Sequence, residues 1–186
     1  MKKIILILLV LVIGITSAYS SILQIGPTAT LNNVNAFDED FLDDLEDKDY
    51  LDPSIYKFGL DARINLLFLS AQANAFYQAP TELTGHLLDT TVYGILDFSL
   101  LSVVRAGIGP GLHYVVDFNA LPKNFDEVVH NGSFNIKTHL TLALGKTALS
   151  AYYVLPTAYK FGGQFPTKGL FAWDQGSLGL SVLFGL

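Results

Sequence analysis

The chain has no cysteine, a single methionine and a single tryptophan, and charged side chains make up only 15% of it. Each shortage excludes something. Without cysteine there is no disulfide framework and no thiolate metal site, so an exported fold stands without covalent staples. With charge this sparse no basic patch exists, and nucleic acid is excluded as a partner. After Ile15 no stretch approaches the roughly 18 apolar residues that a membrane-spanning helix requires. Yet hydrophobic residues fill 51% of the 186 positions and the mean hydropathy is +0.40, high for a soluble domain. High average hydrophobicity without long runs means that the apolar residues are spread by alternation.

The alternation is plain in "YKFGLDARINL", Tyr56 to Leu66. Tyr56, Phe58, Leu60, Ala62, Ile64 and Leu66 fall on one face; Lys57, Gly59, Asp61, Arg63 and Asn65 fall on the other. "SFNIKTHLTLAL", Ser133 to Leu144, sets Phe134, Ile136, Leu140, Leu142 and Leu144 against Asn135, Lys137, His139 and Thr141. Period two is strand geometry, and about eleven residues suffice for a tilted strand to cross a bilayer. The chain holds eight such candidates, near 21–32, 56–66, 68–78, 90–100, 102–116, 133–144, 147–156 and 176–186, the first and seventh least regular. The last, "GSLGLSVLFGL", keeps its period to Leu186, where a soluble chain end usually frays. Ile25-Gly26-Pro27 and Ile108-Gly109-Pro110 are related segments. Proline inside a strand removes a ladder donor, so a bulge is expected at each.

The first residues, "MKKIILILLVLVIGITSAYS", combine two lysines, an apolar core from Ile4 to Ile15 and small residues ending at Ala18. That is the pattern of a secretory signal peptide over 1–18, with a core too short for a comfortable membrane anchor. Its removal takes Lys2 and Lys3, leaving 9 of the 11 basic residues against 17 acidic ones, a net charge of −8.

Connections between the candidate strands alternate in length. Strands two and three meet at Leu66-Leu67, four and five near Leu101, six and seven at Gly145-Lys146, where glycine first suits a type II′ hairpin. The others are long, near 33–55, 79–89, 117–132 and 157–175. Outward residues must oppose outward residues. In the six–seven hairpin this pairs Leu142 with Leu149 and Leu140 with Ala151 outward, and Thr141 with Ser150 and His139 with Tyr152 inward. In the four–five hairpin a three-residue turn sets Asp97 across from Arg105; the alternative register, with a five-residue turn, sets Asp97 opposite Gly107 and leaves Arg105 nearer the turn end. A soluble lipocalin-like barrel would carry its charges outside. Here the apolar stripe is Leu, Ile, Val and Phe, and the opposite face is too poor in charge for a water-facing surface. The expectation is an all-β, eight-stranded antiparallel up-and-down transmembrane β-barrel over 19–186.

With this signal peptide, strand count, loop asymmetry and final strand, the chain resembles the small eight-stranded outer-membrane β-barrels of diderm bacteria. That group contains the transmembrane domain of outer-membrane protein A and the outer-membrane proteins X and W. The resemblance implies export by the general secretory route, residence in the bacterial outer membrane among its lipids, and recognition of the C-terminal strand by the barrel-insertion machinery. Leu186 stands where the family usually ends in an aromatic, with Phe184 two positions earlier. Likeness to outer-membrane protein W implies sideways passage of small apolar molecules between strands. A small pore is the other transport expectation, and a non-transporting surface barrel is the alternative to both.

The inward faces collect Lys57, Asp61, Arg63, Asp97, Arg105, Lys137 and His139. In a narrow eight-stranded barrel these pair with one another and fill the lumen; as a selectivity lining, their positive excess would favour an anionic solute. Gly107, Gly109 and Gly111 either leave room in the lumen or relieve crowding against Phe76 or Arg105. The segment "FDEDFLDDLEDKDYLD" holds nine of the seventeen carboxylates, with Phe37, Phe41 and Leu45 spaced for a short helix. It is an acidic loop suited to solvent, to cations or to a surface partner, but it lacks the ligand spacing of an EF-hand. No metal site and no cofactor are expected. Nor is catalysis. The family's lipid-modifying enzymes use His-x-Ser or a His, Asp and Ser set, whereas this chain offers His139-Leu140-Thr141 facing the lumen. His86 and Asp89 have no serine nearby in sequence, and His113 and His130 have no evident triad partner.

Overall fold

The structure, a computed structural model, describes residues 22–32, 34, 56–78, 86–101, 103–118, 132–161 and 169–186. The proposed leader over 1–18 and the acidic segment 37–52 lie outside the described residues. Eight strands run through the rest: β1 (Leu23–Asn32), β2 (Tyr56–Leu66), β3 (Leu69–Gln78), β4 (Leu87–Ser99), β5 (Val104–Asp117), β6 (Ser133–Leu144), β7 (Thr147–Lys160) and β8 (Ser177–Gly185). Each pairs antiparallel with the next and β1 pairs with β8, so the sheet closes into an up-and-down barrel. The final strand holds its period because it is the closing strand. It pairs with both β7 and β1, which leaves the sheet no edge.

β2 and β6 have the bounds that alternation gives. β4 instead begins at Leu87 and β7 runs on to Lys160, so the connections expected over 79–89 and 157–175 are shorter. Backbone pairing continues there after the apolar pattern has faded. Phe76 still faces Asp89 and Leu87 faces Asp117 across the ladder.

Polarity is inverted relative to a soluble protein. Leu60, Leu96, Leu112, Leu140, Leu180 and Phe184 are exposed on the outer face, whereas Asp61, Arg63, Gln72, Asp97 and Lys137 are buried inside. Pro27 and Pro110 carry no bulge; the β6–β7 ladder shifts register between Ser133 and Asn135, where Asn135 faces Pro156. The β1–β8 register is the same on either side of Pro27, from Ile25↔Phe184 to Thr28↔Ser181. The β4–β5 register is likewise unchanged from Tyr93↔Gly111 to Leu96↔Ile108, around Pro110. Each proline stays paired on its other side, to Leu60 and to Ile136. In an antiparallel ladder a residue's N–H serves one neighbour only, so each proline deletes one bond and shifts nothing. The preceding glycines let the strands approach there. A Cβ on Gly26 would lie 1.8 Å from Val182 O, and one on Gly109 would lie 2.0 Å from Gly94 O.

The β6–β7 hairpin has the register that alternation requires, with Leu142 opposite Leu149 and His139 opposite Tyr152. Gly145 at its turn has φ 68°, the conformation a type II′ turn asks of its first central residue. The β2–β3 turn lies at Leu67-Phe68, one residue beyond the expected place, between paired Leu66 and Leu69. Leu67 takes φ 51°, a left-handed conformation costing a branched side chain roughly 1–2 kcal/mol. The β4–β5 hairpin differs more. Asp97 opposes Gly107, and Arg105 opposes Ser99. The turn is wider because it makes its own bonds: Leu100 and Leu101 N–H donate to Val104 O at 2.9 and 3.2 Å, and Val104 N–H donates to Leu101 O at 3.2 Å. A two-residue slip keeps every side chain on its face, so alternation alone does not separate the two registers.

Candidate functional site: a plugged lumen with an open vestibule

The seven charged residues that alternation turns inward occupy three levels of the lumen. Asp61, Arg63 and Lys137 fill its middle. Asp61 Oδ2 accepts from Arg63 Nη2 at 2.8 Å, Arg63 Nε at 3.2 Å and Ser181 Oγ at 2.9 Å. Arg63 also donates to Thr141 Oγ1 at 3.1 Å and Ser150 Oγ at 2.9 Å, so one guanidinium ties β2 to β6 and β7. Lys137, with 0% of its surface exposed, donates to Asn74 Oδ1 at 2.9 Å and lies 3.9 Å from Asp61 Oδ2. Its ammonium stands over the rings of Tyr152 and Tyr93, 4.3 and 4.9 Å from their centroids, where the ring faces attract a cation.

Glycines place those rings. Tyr93 pairs with Gly111 and Tyr152 with Gly179. A Cβ on Gly111 would stand 2.3 Å from the Tyr93 ring, and one on Gly179 would stand 2.2 Å from that of Tyr152. Each tyrosine therefore lies across a strand that offers no side chain to lift it. Gly107 makes the same concession to His139 and Ile95, and Gly109 to the backbone of β4. The inward glycines of β5 thus fit rings and backbone, not Phe76 or Arg105, and the space they release is filled.

Toward the turns, Arg105 Nε reaches Asp97 Oδ1 at 3.2 Å. The pair forms diagonally, since the two residues are not opposed; diagonal neighbours remain within reach of a long side chain. Arg105 Nη2 also donates to Leu67 O at 3.3 Å, across the mouth of the β2–β3 turn. His139 Nδ1 accepts from Gln72 Nε2 at 3.3 Å while its Nε2 faces Asp97 Oδ2 at 3.6 Å. Thr141 is engaged by Arg63 and Ser150. His139 and Thr141 are thus both engaged by lumen neighbours, and Leu140 between them is exposed on the outer face. Between Arg63, Asp97, Arg105 and Thr141 lies a cavity of about 10 Å³, the scale of a single water, and a second of about 470 Å³ is lined by Ile22, the β2–β3 turn and Arg105.

The loop end is different. A cavity of about 390 Å³ sits above the plug, lined among others by Lys57, Asn74, Phe76, Asp89, His113 and Asn135. Lys57 is the one of the seven that faces this space, and its Nζ binds Asp89 Oδ2 at 2.8 Å. His113 Nε2 holds Asp89 Oδ1 at 2.8 Å, and His113 Nδ1 lies 3.1 Å from Ser133 Oγ. Sequence left His113 without a partner and placed Asp89 in a loop. Continuing the alternation of β4 back through Thr91 would have found Asp89, but nothing local pairs it with β5 and β6. His86 lies at the rim against Tyr77, and His130 is outside the described residues. Among the described residues, no three His, Cys, Asp or Glu side chains are grouped to hold a metal.

Two outcomes follow. Replacing Asp97 with Asn or Arg105 with Gln should each cost about 3–5 kcal/mol, because each leaves a charge without its buried partner. The double variant should lose less than the sum. A urea double-mutant cycle measures this, and strict additivity would mean that the diagonal contact carries nothing. Refolded into planar bilayers, the protein should pass no steady current through the filled middle of its lumen; a large, stable, voltage-independent conductance would contradict the plug.

No protein-family model matches the chain, and no curated protein matches it. Among solved structures it is similar to the N-terminal β-barrel domain of Pseudomonas aeruginosa OprF, at 13% identity over 87% of this chain and 96% of that one, with a TM-score of 0.46. It is also similar to Ail, the attachment invasion locus protein of Yersinia pestis, at 14% identity over 87% of this chain and 92% of that one, with a TM-score of 0.37. By its own ring closure, register and inverted polarity the chain is a closed eight-stranded antiparallel up-and-down β-barrel, the architecture that its resemblance to the small outer-membrane barrels implies.

Proposed function

We propose that the protein is an integral barrel of the bacterial outer membrane, closed through its middle, whose working part is the vestibule at its loop end. The observation that carries this reading is the outer face. Between the turns and the tyrosines near the loops, no outward position of the eight strands carries a charge, and large apolar residues stand exposed there. Eleven residues of β2 at a strand's rise and tilt make this belt about 25 Å tall, the height of an outer-membrane apolar band. Tyr56, Tyr77, Tyr114, Tyr159 and Trp173 stand near its loop-end border, where amphipathic rings favour an interface.

The filled mid-lumen supports a closed barrel over a small pore. The close backbone approach at Gly26 and Gly109 supports sealed seams over sideways passage of apolar molecules, since Pro27 and Pro110 each delete a ladder bond within the belt. A surface barrel that binds at its loop end is the reading left. Leu142→Arg should destabilise the barrel in bilayers by about 2–4 kcal/mol, as a charge in hydrocarbon does. Thr141→Arg should instead be governed by space beside Arg63. Urea titrations in lipid vesicles compare them, and negligible effects at both positions would reject the membrane assignment.

A second reading rests on Ser133, His113 and Asp89, which form one hydrogen-bonded chain of the residue types used by serine hydrolases, but with the imidazole reversed: serine lies on Nδ1 and the carboxylate on Nε2. Against it, Lys57 binds the same carboxylate and neutralises it. Hydrolysis of a p-nitrophenyl ester tests this. The closed-barrel reading expects no rate above a detergent blank, whereas a rate abolished by both Ser133→Ala and His113→Gln would establish the enzyme.

A further inference from the structure

The turn end of the barrel is apolar beyond what the belt between the strand ends requires. The β2–β3 hairpin passes through Leu66, Leu67, Phe68 and Leu69, and the β4–β5 hairpin through Leu100, Leu101 and Val103. No charged residue occurs from Ile64 to Leu69 or from Phe98 to Val104. All of these hairpin side chains are exposed, Leu67 at 63% and Leu101 at 65%. A turn in water usually takes Gly, Asn, Asp or Ser, above all at a positive φ such as the 51° of Leu67. A cavity of about 470 Å³ opens beside the first turn, with Ile22, Leu66, Phe68 and Leu69 as its apolar wall and Arg105 as its polar one. The backbone here is as closed as the side chains are apolar. Phe68 O accepts from Asp97 N–H at 2.9 Å, Val103 O from Ala143 N–H at 2.7 Å and Ile22 O from Asn65 N–H at 2.7 Å. Leu101 O accepts from Val104 N–H at 3.2 Å, and Leu67 O from the Arg105 guanidinium at 3.3 Å. Water would serve such carbonyls, so a turn in water has no need to bond them within the protein. Hydrocarbon serves none, and a segment immersed in it must satisfy its own.

We infer that lipid acyl chains close over the β2–β3 and β4–β5 turns and enter the cavity beside Phe68, so that the turn end is a lipid-contacting surface and not a water-facing rim. Continuity with the belt names the occupant. Leu69 stands opposite Leu96, an exposed residue of the outer face, and Leu66 stands opposite Leu69, so the apolar surface runs from the strands into the turns without a polar break. An exposed apolar surface of this kind needs a cover, and the lipid that covers the belt already reaches its edge. The third hairpin differs: Lys146 is exposed at its tip, and a lysine at a membrane border sends its ammonium to the headgroups. The lipid surface therefore reaches past the first two turns and stops at the third. The inference rests on the membrane reading proposed above and adds where the lipid ends.

Tryptophan fluorescence tests this. Trp173→Phe removes the single tryptophan. In that background Phe68→Trp and Leu101→Trp report on the two turns and Leu140→Trp, on the exposed outer face of β6, reports on the belt. Each protein is refolded into phosphatidylcholine vesicles in which part of the lipid is brominated on one acyl chain, near the headgroup or near the methyl end. Acrylamide is the quencher in water. Phe68→Trp and Leu101→Trp should emit at shorter wavelength than free tryptophan. They should lose most of their emission to brominated lipid, more to bromines near the headgroup than to those near the methyl end, and little to acrylamide. The two reporters sit on different hairpins, so one still decides where the other variant does not fold. Emission like that of free tryptophan, quenched by acrylamide, at either turn would overturn the proposal. Protection from both quenchers would also overturn it, because protein and not lipid would then cover the turns. Leu140→Trp separates this inference from the membrane reading: quenching by brominated lipid at Leu140→Trp alone sinks only the inference, and its absence there as well sinks both.

Discussion

An ammonium with no access to water organises this barrel. Lys137 sits at mid-lumen with 0% exposure, and a buried charge is tolerated only where its surroundings replace the solvent. Here the replacement comes from an amide oxygen, a carboxylate and two ring faces, contributed by β2, β3, β4 and β7. Only a closed ring can bring four strands around one side chain, so interior electrostatics and closure by β8 depend on each other. Arg63 extends the network to β6 and β7 through Thr141 and Ser150, and Ser181 joins it from β8.

The glycines and prolines follow from the same constraint. Two tyrosines can lie flat under and beside Lys137 because Gly111 and Gly179 leave them room. Gly26 and Gly109 let neighbouring strands draw in where a proline has removed a ladder bond. Glycine in a strand usually weakens it. In a narrow barrel its missing side chain is the space in which another side chain or backbone packs.

Filling the middle also divides the lumen into unequal parts. The turn end is bridged by Arg105 from Asp97 to Leu67. The loop end keeps a cavity whose charged walls pair with one another, Lys57 and His113 on Asp89. That asymmetry gives the vestibule its chemistry: it lies above a plug and is short of net charge.

Period-two alternation by itself determined the strands, their number and the face on which each side chain lies, because every residue's side in a strand is fixed by parity. Parity also set the β6–β7 register from the tight glycine turn as far as Asn135, beyond which the ladder shifts. It could not set the β4–β5 register, because a two-residue slip preserves parity, and the turn's own hydrogen bonds chose Asp97 opposite Gly107. Nor could it reveal that Arg105 reaches Asp97 diagonally, that His113 meets Asp89 and Ser133, or that Asn74 is oriented by Lys137 from three strands away. Those contacts depend on how far each strand slides along its neighbour and how tightly the ring curls, quantities summed around eight pairings and fixed only on closure.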